Sequence, residues 1–146
     1  MTAQVSTARA ADTEGALARR GRLVVGGFYL VTGGTHLGIV VAGTSFYRHF
    51  ADQALFAFVR HGWSQVFMAA PVLWGLCLFL GEVAFGTMLL RGGRWARVGW
   101  ACVIAFHALL MLFGFGIWLW AIPALLVLGS LARADWPSLA GPASVR

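Results

Sequence analysis

The stretch Arg22–Gly43, "RLVVGGFYLVTGGTHLGIVVAG", is 22 residues long and carries no acidic or basic residue except its first arginine and His36. At 1.5 Å per residue, a helix of this length crosses a hydrocarbon layer of about 30 Å. Val40-Val41-Ala42 resembles a small-residue cleavage site, but the apolar core of a signal peptide has only about 7–15 residues. The stretch therefore reads as a retained membrane helix, and the rest of the chain is read outward from it.

Composition supports this. Hydrophobic residues make up 60% of the 146-residue chain and charged ones 11%, with a mean hydropathy of +0.79. Soluble domains carry roughly 25% charged residues. The net charge of +6 comes entirely from arginines, most of which flank apolar runs, where they meet lipid head groups. It is not a nucleic-acid signal.

Three more spans follow: about 65–90, with Pro71 two turns in as a kink; 95–113; and 117–131. The expected fold is all-α, an integral membrane four-helix bundle over 21–132. Residues 1–20 and 133–146 are expected to be disordered tails. Between the first two spans lies "TSFYRHFADQALFAFVRHGWS", Thr44–Ser64, too charged to cross. Tyr47, Ala51, Ala54, Leu55 and Phe58 fall on one helical face, which predicts a short interfacial helix. Trp63 is expected in an aromatic belt, and the histidines of this loop, His49 and His61, as plain interfacial residues.

The arginines set an expected orientation. With the N-terminus inside, Arg9, Arg19, Arg20, Arg22, Arg91, Arg94, Arg97, Arg133 and Arg146 face the cytoplasm and only Arg48 and Arg60 face out. This bias places both termini in the cytoplasm, and the expected location is a bacterial cytoplasmic membrane.

The Gly-rich first span with Arg22, Gly26 and Gly33, followed by "GEVAFGTMLLRGGRWARVGW" with Glu82, Gly86, Leu89, Leu90, Gly92 and Arg97, resembles the DoxX/DoxD-like family of small four-helix membrane proteins. The resemblance covers roughly residues 22–132. It implies a four-helix bundle, in some members associated with respiratory or thiol-linked oxidoreductases. The long first loop and the intramembrane histidines depart from the family pattern.

Chemistry concentrates in His36, Glu82 and His107, the ionisable residues inside the spans. A charged residue at a helix centre costs about 2.5–3.5 kcal/mol on insertion scales, so such groups face the bundle interior and have partners. By helical rise, His36 lies about 20 Å above the cytoplasmic start of its span, His107 about 18 Å and Glu82 about 12 Å. His36 shares a stripe with Tyr29, Thr32, Gly33 and Gly43, and Glu82 shares one with Gly75 and Gly86. The expectation is a single polar pocket joining His36, His107 and Glu82, with Tyr29 and Thr32 beside it. Four uses stay open: a structural network, a proton or small-ligand site, bis-histidine haem ligation, and metal binding, for which three scattered ligands are a weak signal and to which no residue is assigned. Gly34, Gly38 and Ala42 form a small-residue stripe expected to serve helix packing within the chain, a homo-oligomer interface being the other use.

Cys77 and Cys102 read as buried hydrophobes, with no CxxC dithiol. No nucleophile–base pair or phosphate loop is found, so the chain leans away from covalent chemistry of its own. The expected function is a non-catalytic subunit or scaffold, with the bilayer and a membrane oxidoreductase as partners. The alternatives are a proton-coupled permeation protein and a haem- or quinone-binding redox protein.

Overall fold

The computed structural model describes residues 2–139, without the side chains of residues 2–12 and Gln53. The helices are α1 (Thr2–Ala42), α2 (Arg48–Gln53), α3 (Ala57–Gly62), α4 (Pro71–Arg91), α5 (Gly93–Leu110) and α6 (Phe115–Asp135). Four segments are long and apolar enough to cross a membrane: Thr13–Ala42, Pro71–Arg91, Gly93–Phe113 and Phe115–Leu139. The fold is the expected all-α four-helix bundle. α1 packs on α4, α4 on α5 and α5 on α6, and α6 closes the ring against α1.

Element boundaries differ from expectation for local reasons. The first twenty residues were expected to be unstructured, but α1 already includes Thr2. The segment is rich in alanine and arginine, strong helix formers, and contains no proline. α1 ends at Gly43, whose φ of 124° a residue with a Cβ rarely adopts and whose N–H bonds the Ile39 carbonyl. The second span starts at Pro71, not at residue 65. Proline occupies the first helical position, where a missing N–H costs nothing, so it starts the helix and does not kink it. Trp63–Phe67 before it forms a π-helical turn.

The third span ends in a one-turn 3₁₀ segment, Met111–Phe113, and Gly114 (φ 90°) turns the chain directly into α6. α6 extends well beyond the expected 117–131, and the segment Trp136–Leu139 folds back onto α5 and α6 with Leu139 in the core. The expected disordered tail from residue 133 is thus ordered to 139; residues 140–146 lie outside the described part.

The loop is not one interfacial helix. A 3₁₀ turn (Thr44–Tyr47) and α2 are separated from α3 by an extended break at Ala54 and Phe56. The break is held by Arg60 donating to the Ala54 carbonyl at 2.8 Å and by the Leu55 N–H donating to the Leu112 carbonyl at 3.2 Å. Of the expected apolar face, Tyr47 and Ala54 are buried, while Leu55 and Phe58 are exposed. Trp63, expected in an aromatic belt, is partly buried against other rings. It stacks on Phe67 with centroids 3.8 Å apart and packs edge-on against Phe113, capping this end of the bundle.

Candidate functional site

The inward face of α1 sets the site. Arg22, Gly26, Tyr29, Gly33 and His36 follow one another at alternate spacings of four and three, a straight stripe on a helix. All but His36 are fully buried, and His36 is half-buried. Large polar side chains alternate with glycines, and the glycines admit α4. A Cβ on Gly86 would lie 2.6 Å from the Gly26 carbonyl oxygen, and one on Gly33 would lie 3.2 Å from the Phe79 carbonyl oxygen. Gly75 lies against Val40 and Tyr47. The expectation for Gly75 and Gly86 as packing residues holds. Gly34 and Gly38 do not serve packing within the chain: a Cβ there would meet nothing within 4 Å, because both lie on the outward face of α1, turned from the Gly26–Gly33 face by about one residue's rotation.

The close approach of α1 and α4 brings Glu82 to His36. His36 Nε2 is 3.4 Å from Glu82 Oε1, and His36 Nδ1 is 3.0 Å from the Tyr47 hydroxyl. Tyr47 belongs to the loop, outside the spans. Burial pushes its phenol above the ordinary 10.0, and the Glu82 carboxylate adds to the shift. A carboxylate only accepts, so Nε2 is the nitrogen that carries a proton toward Glu82; in the neutral imidazole Nδ1 is then the acceptor of the Tyr47 O–H. Tyr47 is fixed from behind, where Trp63 Nε1 donates to its backbone carbonyl at 2.7 Å. The other oxygen, Glu82 Oε2, is buried and has no hydrogen-bond partner.

This triad forms one end of a cavity of about 490 Å³. The remaining walls are aromatic (Phe50, Trp63, Phe106, Phe113, Trp120) and aliphatic (Leu78, Leu109, Leu110, Ile117). The expected polar pocket exists, but His107 is not part of it. The His107 ring bonds Tyr29, with Nδ1 3.0 Å from the hydroxyl, and lines a separate groove between α1 and α6. Trp120 lines both spaces, and Phe106 lines the first while its ring packs on His107 and Tyr29. These two side chains form the partition. Helical rise led to the expectation of level histidines; His107 instead meets Tyr29, two turns before His36 on α1, and the rise says nothing of the bulky residues on α5 and α6. A haem held by both imidazoles would have to displace that partition, so the pair does not fit bis-histidine ligation. Thr32 is outside the site, its hydroxyl turned back to the Tyr29 carbonyl at 3.4 Å. His49 and His61 are exposed, as is Cys77; Cys102 is half-buried. No cluster of three metal-ligating side chains occurs among the described residues.

A second buried network went unread in the sequence. Arg22 Nε lies 3.2 Å from Asp135 Oδ2, which also accepts from Trp100 Nε1 at 3.0 Å. Arg22 Nη1 donates to the Leu89 carbonyl, and Ser138 Oγ bonds both the Asp135 carboxylate and its backbone carbonyl. Asp135 is fully buried. The signal available was an acid one helical turn beyond the assumed end of the last span, level with an arginine at the start of the first.

Searches of protein-family models, curated proteins and solved structures find no match to this chain.

Proposed function

We propose that this chain is a quinone-binding membrane subunit, DoxX-like and without covalent chemistry of its own, that serves a membrane oxidoreductase. It would lie in a bacterial cytoplasmic membrane with both termini in the cytoplasm and the Tyr47 end of the bundle outside. The observation that carries the reading is the free Glu82 Oε2, buried at the polar end of an aromatic cavity beside His36 and Tyr47. A buried acceptor without a partner is costly, and a bound hydroxyl relieves it. Flat aromatic walls suit a ring, and the volume falls within the usual range for small-molecule sites. A quinol would donate one hydroxyl to Glu82 Oε2, and the triad would orient its ring. A scaffold needs no such free acceptor, and a permeation path would have to pass the Phe106–Trp120 partition. Both are less well supported for that reason.

The test is titration of the purified protein with a short-tailed benzoquinone, alone and after reduction, read by quenching of Trp63 and Trp120 fluorescence. Saturable quenching is expected, with quinol affinity falling about tenfold or more in Glu82→Gln. Non-saturable quenching, or equal affinity in Glu82→Gln, would overturn the reading.

A further inference from the structure

The groove between α1 and α6 has a chemistry of its own. Its volume is about 400 Å³, and its walls are apolar side chains, among them Val24, Phe28, Trp120 and Val127. Val24 and Val127 are more than half exposed, so the groove opens where lipid would be. His107 forms part of the wall, is only 2% exposed, and its Nε2 has no hydrogen-bond partner.

The hydrogen-bond pattern decides what Nε2 offers. Nδ1 lies 3.0 Å from both the Tyr29 hydroxyl and the Val103 carbonyl. Val103 is four residues before His107 in α5, so its carbonyl already accepts the helical N–H of His107. Tyr29 is buried, and His107 Nδ1 is the hydrogen-bond partner of its hydroxyl. Tyr29 O–H donating to Nδ1 satisfies the phenol and places the ring proton on Nε2, whereas Nδ1–H donating to Val103 would leave both the phenol proton and Nε2 without partners, so the first is the better-satisfied arrangement. The result is a buried N–H donor without an acceptor, set in an otherwise apolar groove. Membrane lipid esters lie at the interface, whereas the groove is walled by residues near the middle of α1 and α6. Besides His107, the hydroxyl on the wall is that of Tyr29, already paired with the imidazole, so a water there would be poorly held.

We infer that the α1–α6 groove is a second ligand site, which takes a neutral, apolar molecule bearing one carbonyl oxygen and binds that oxygen through His107 Nε2–H. The site is separate from the cavity at Glu82, and it admits no ligand that must give up a proton, since His107 presents only a donor. It does not rest on the quinone reading.

Benzophenone is a suitable probe: an apolar ketone that cross-links to its neighbours under light. Diphenylmethane has nearly the same shape without the oxygen and serves as competitor. The full chain in nanodiscs should be labelled on α1 and α6 around the groove. Benzophenone should be retained more strongly than diphenylmethane by about threefold to tenfold, the usual worth of one hydrogen bond. His107→Phe should abolish that preference. Because this change also strips Tyr29 of its acceptor, Val127→Trp provides a second route: it fills the groove from its rim, leaves both polar residues in place, and should prevent labelling. Glu82→Gln should leave labelling of the groove unchanged, so failure at one site is distinguishable from failure at the other. Equal retention of the two probes in the wild type would overturn the inference, as would labelling insensitive to Val127→Trp. Either result would mean that the groove holds only hydrocarbon.

Discussion

Tyr47 couples a loop to an intramembrane acid. Its hydroxyl reaches His36 at 3.0 Å, and burial together with Glu82 keeps the phenol protonated above the ordinary 10.0. The sign for stability follows from linkage. Between the ordinary value and the raised folded one, the unfolded chain has lost the proton and the folded chain keeps it, so stability falls as pH rises through that window. Below it the contribution is fully present. The chain has two tyrosines, so a Tyr29→Phe protein reports Tyr47 alone. Its tyrosinate absorbance should appear at a pH above that of the unfolded protein. Coincident titration curves would mean that Tyr47 is not held as described. At this scale the sequence was informative about His36 and Glu82, whose apolar surroundings single them out. It was silent on Tyr47 as a partner, because that contact joins a span to a loop whose fold depends on a break at Ala54–Phe56 that no turn motif marks.

Among the elements, the α1–α4 contact is the tightest. It is built on Gly26, Gly33 and Gly86, each with backbone of the other helix within reach of an added Cβ. Without a hydrophobic force between helices in lipid, such close packing supplies much of their association. Gly86→Ala is expected to destabilise the bundle by about 1–3 kcal/mol, since a carbonyl cannot move aside as a side chain can. Gly38→Ala should be neutral or slightly stabilising, as alanine is the better helix former and the space is open. Thermal unfolding of the two variants in the same detergent separates them; similar losses would show that Gly38 also lies in an interface. Gly38 lies in the first span and Gly86 in the second, each among further glycines. Hydropathy located the span well, but could not choose the face, because apolar residues surround the whole of α1. The polar stripe Arg22–Tyr29–His36 was the better guide, and its lower end was missed because Arg22 was counted among residues facing water.

For the whole molecule, Arg22 and Asp135 matter most. Their pair draws on all four spanning helices: α1 through Arg22, α4 through the Leu89 carbonyl, α5 through Trp100 and α6 through Asp135. Removing one partner from a buried pair leaves a bare charge, at a cost of about 3–5 kcal/mol. Asp135→Leu is therefore expected to be strongly destabilising. The double variant Arg22→Met/Asp135→Leu should recover much of the loss. A double-mutant cycle on unfolding free energies measures this, and simple additivity of the two changes would show that the charges do not depend on each other. The fold class was readable because four long apolar runs admit few other arrangements. The ring closure was not, because it depends on one acid placed just past the last apolar run.

That closure has a consequence for synthesis. Arg22 enters the membrane with the first helix, and its counter-charge follows only at the end of the fourth. Until α6 emerges, the nascent bundle holds a guanidinium that cannot be neutralised, and its first helix has reason to stay near the translocation machinery or tilt Arg22 toward the head groups. Release into lipid would then wait for Asp135 to clear the ribosome. Stalled chains in which Asp135 is still inside the ribosome should remain cross-linkable to the insertion channel through α1, while chains extended by a linker long enough to carry Leu139 clear of the exit tunnel should let go. An Arg22→Met chain should be released early at both lengths. Release that ignores Asp135 would mean that the helices leave one by one and that the pair forms only afterwards.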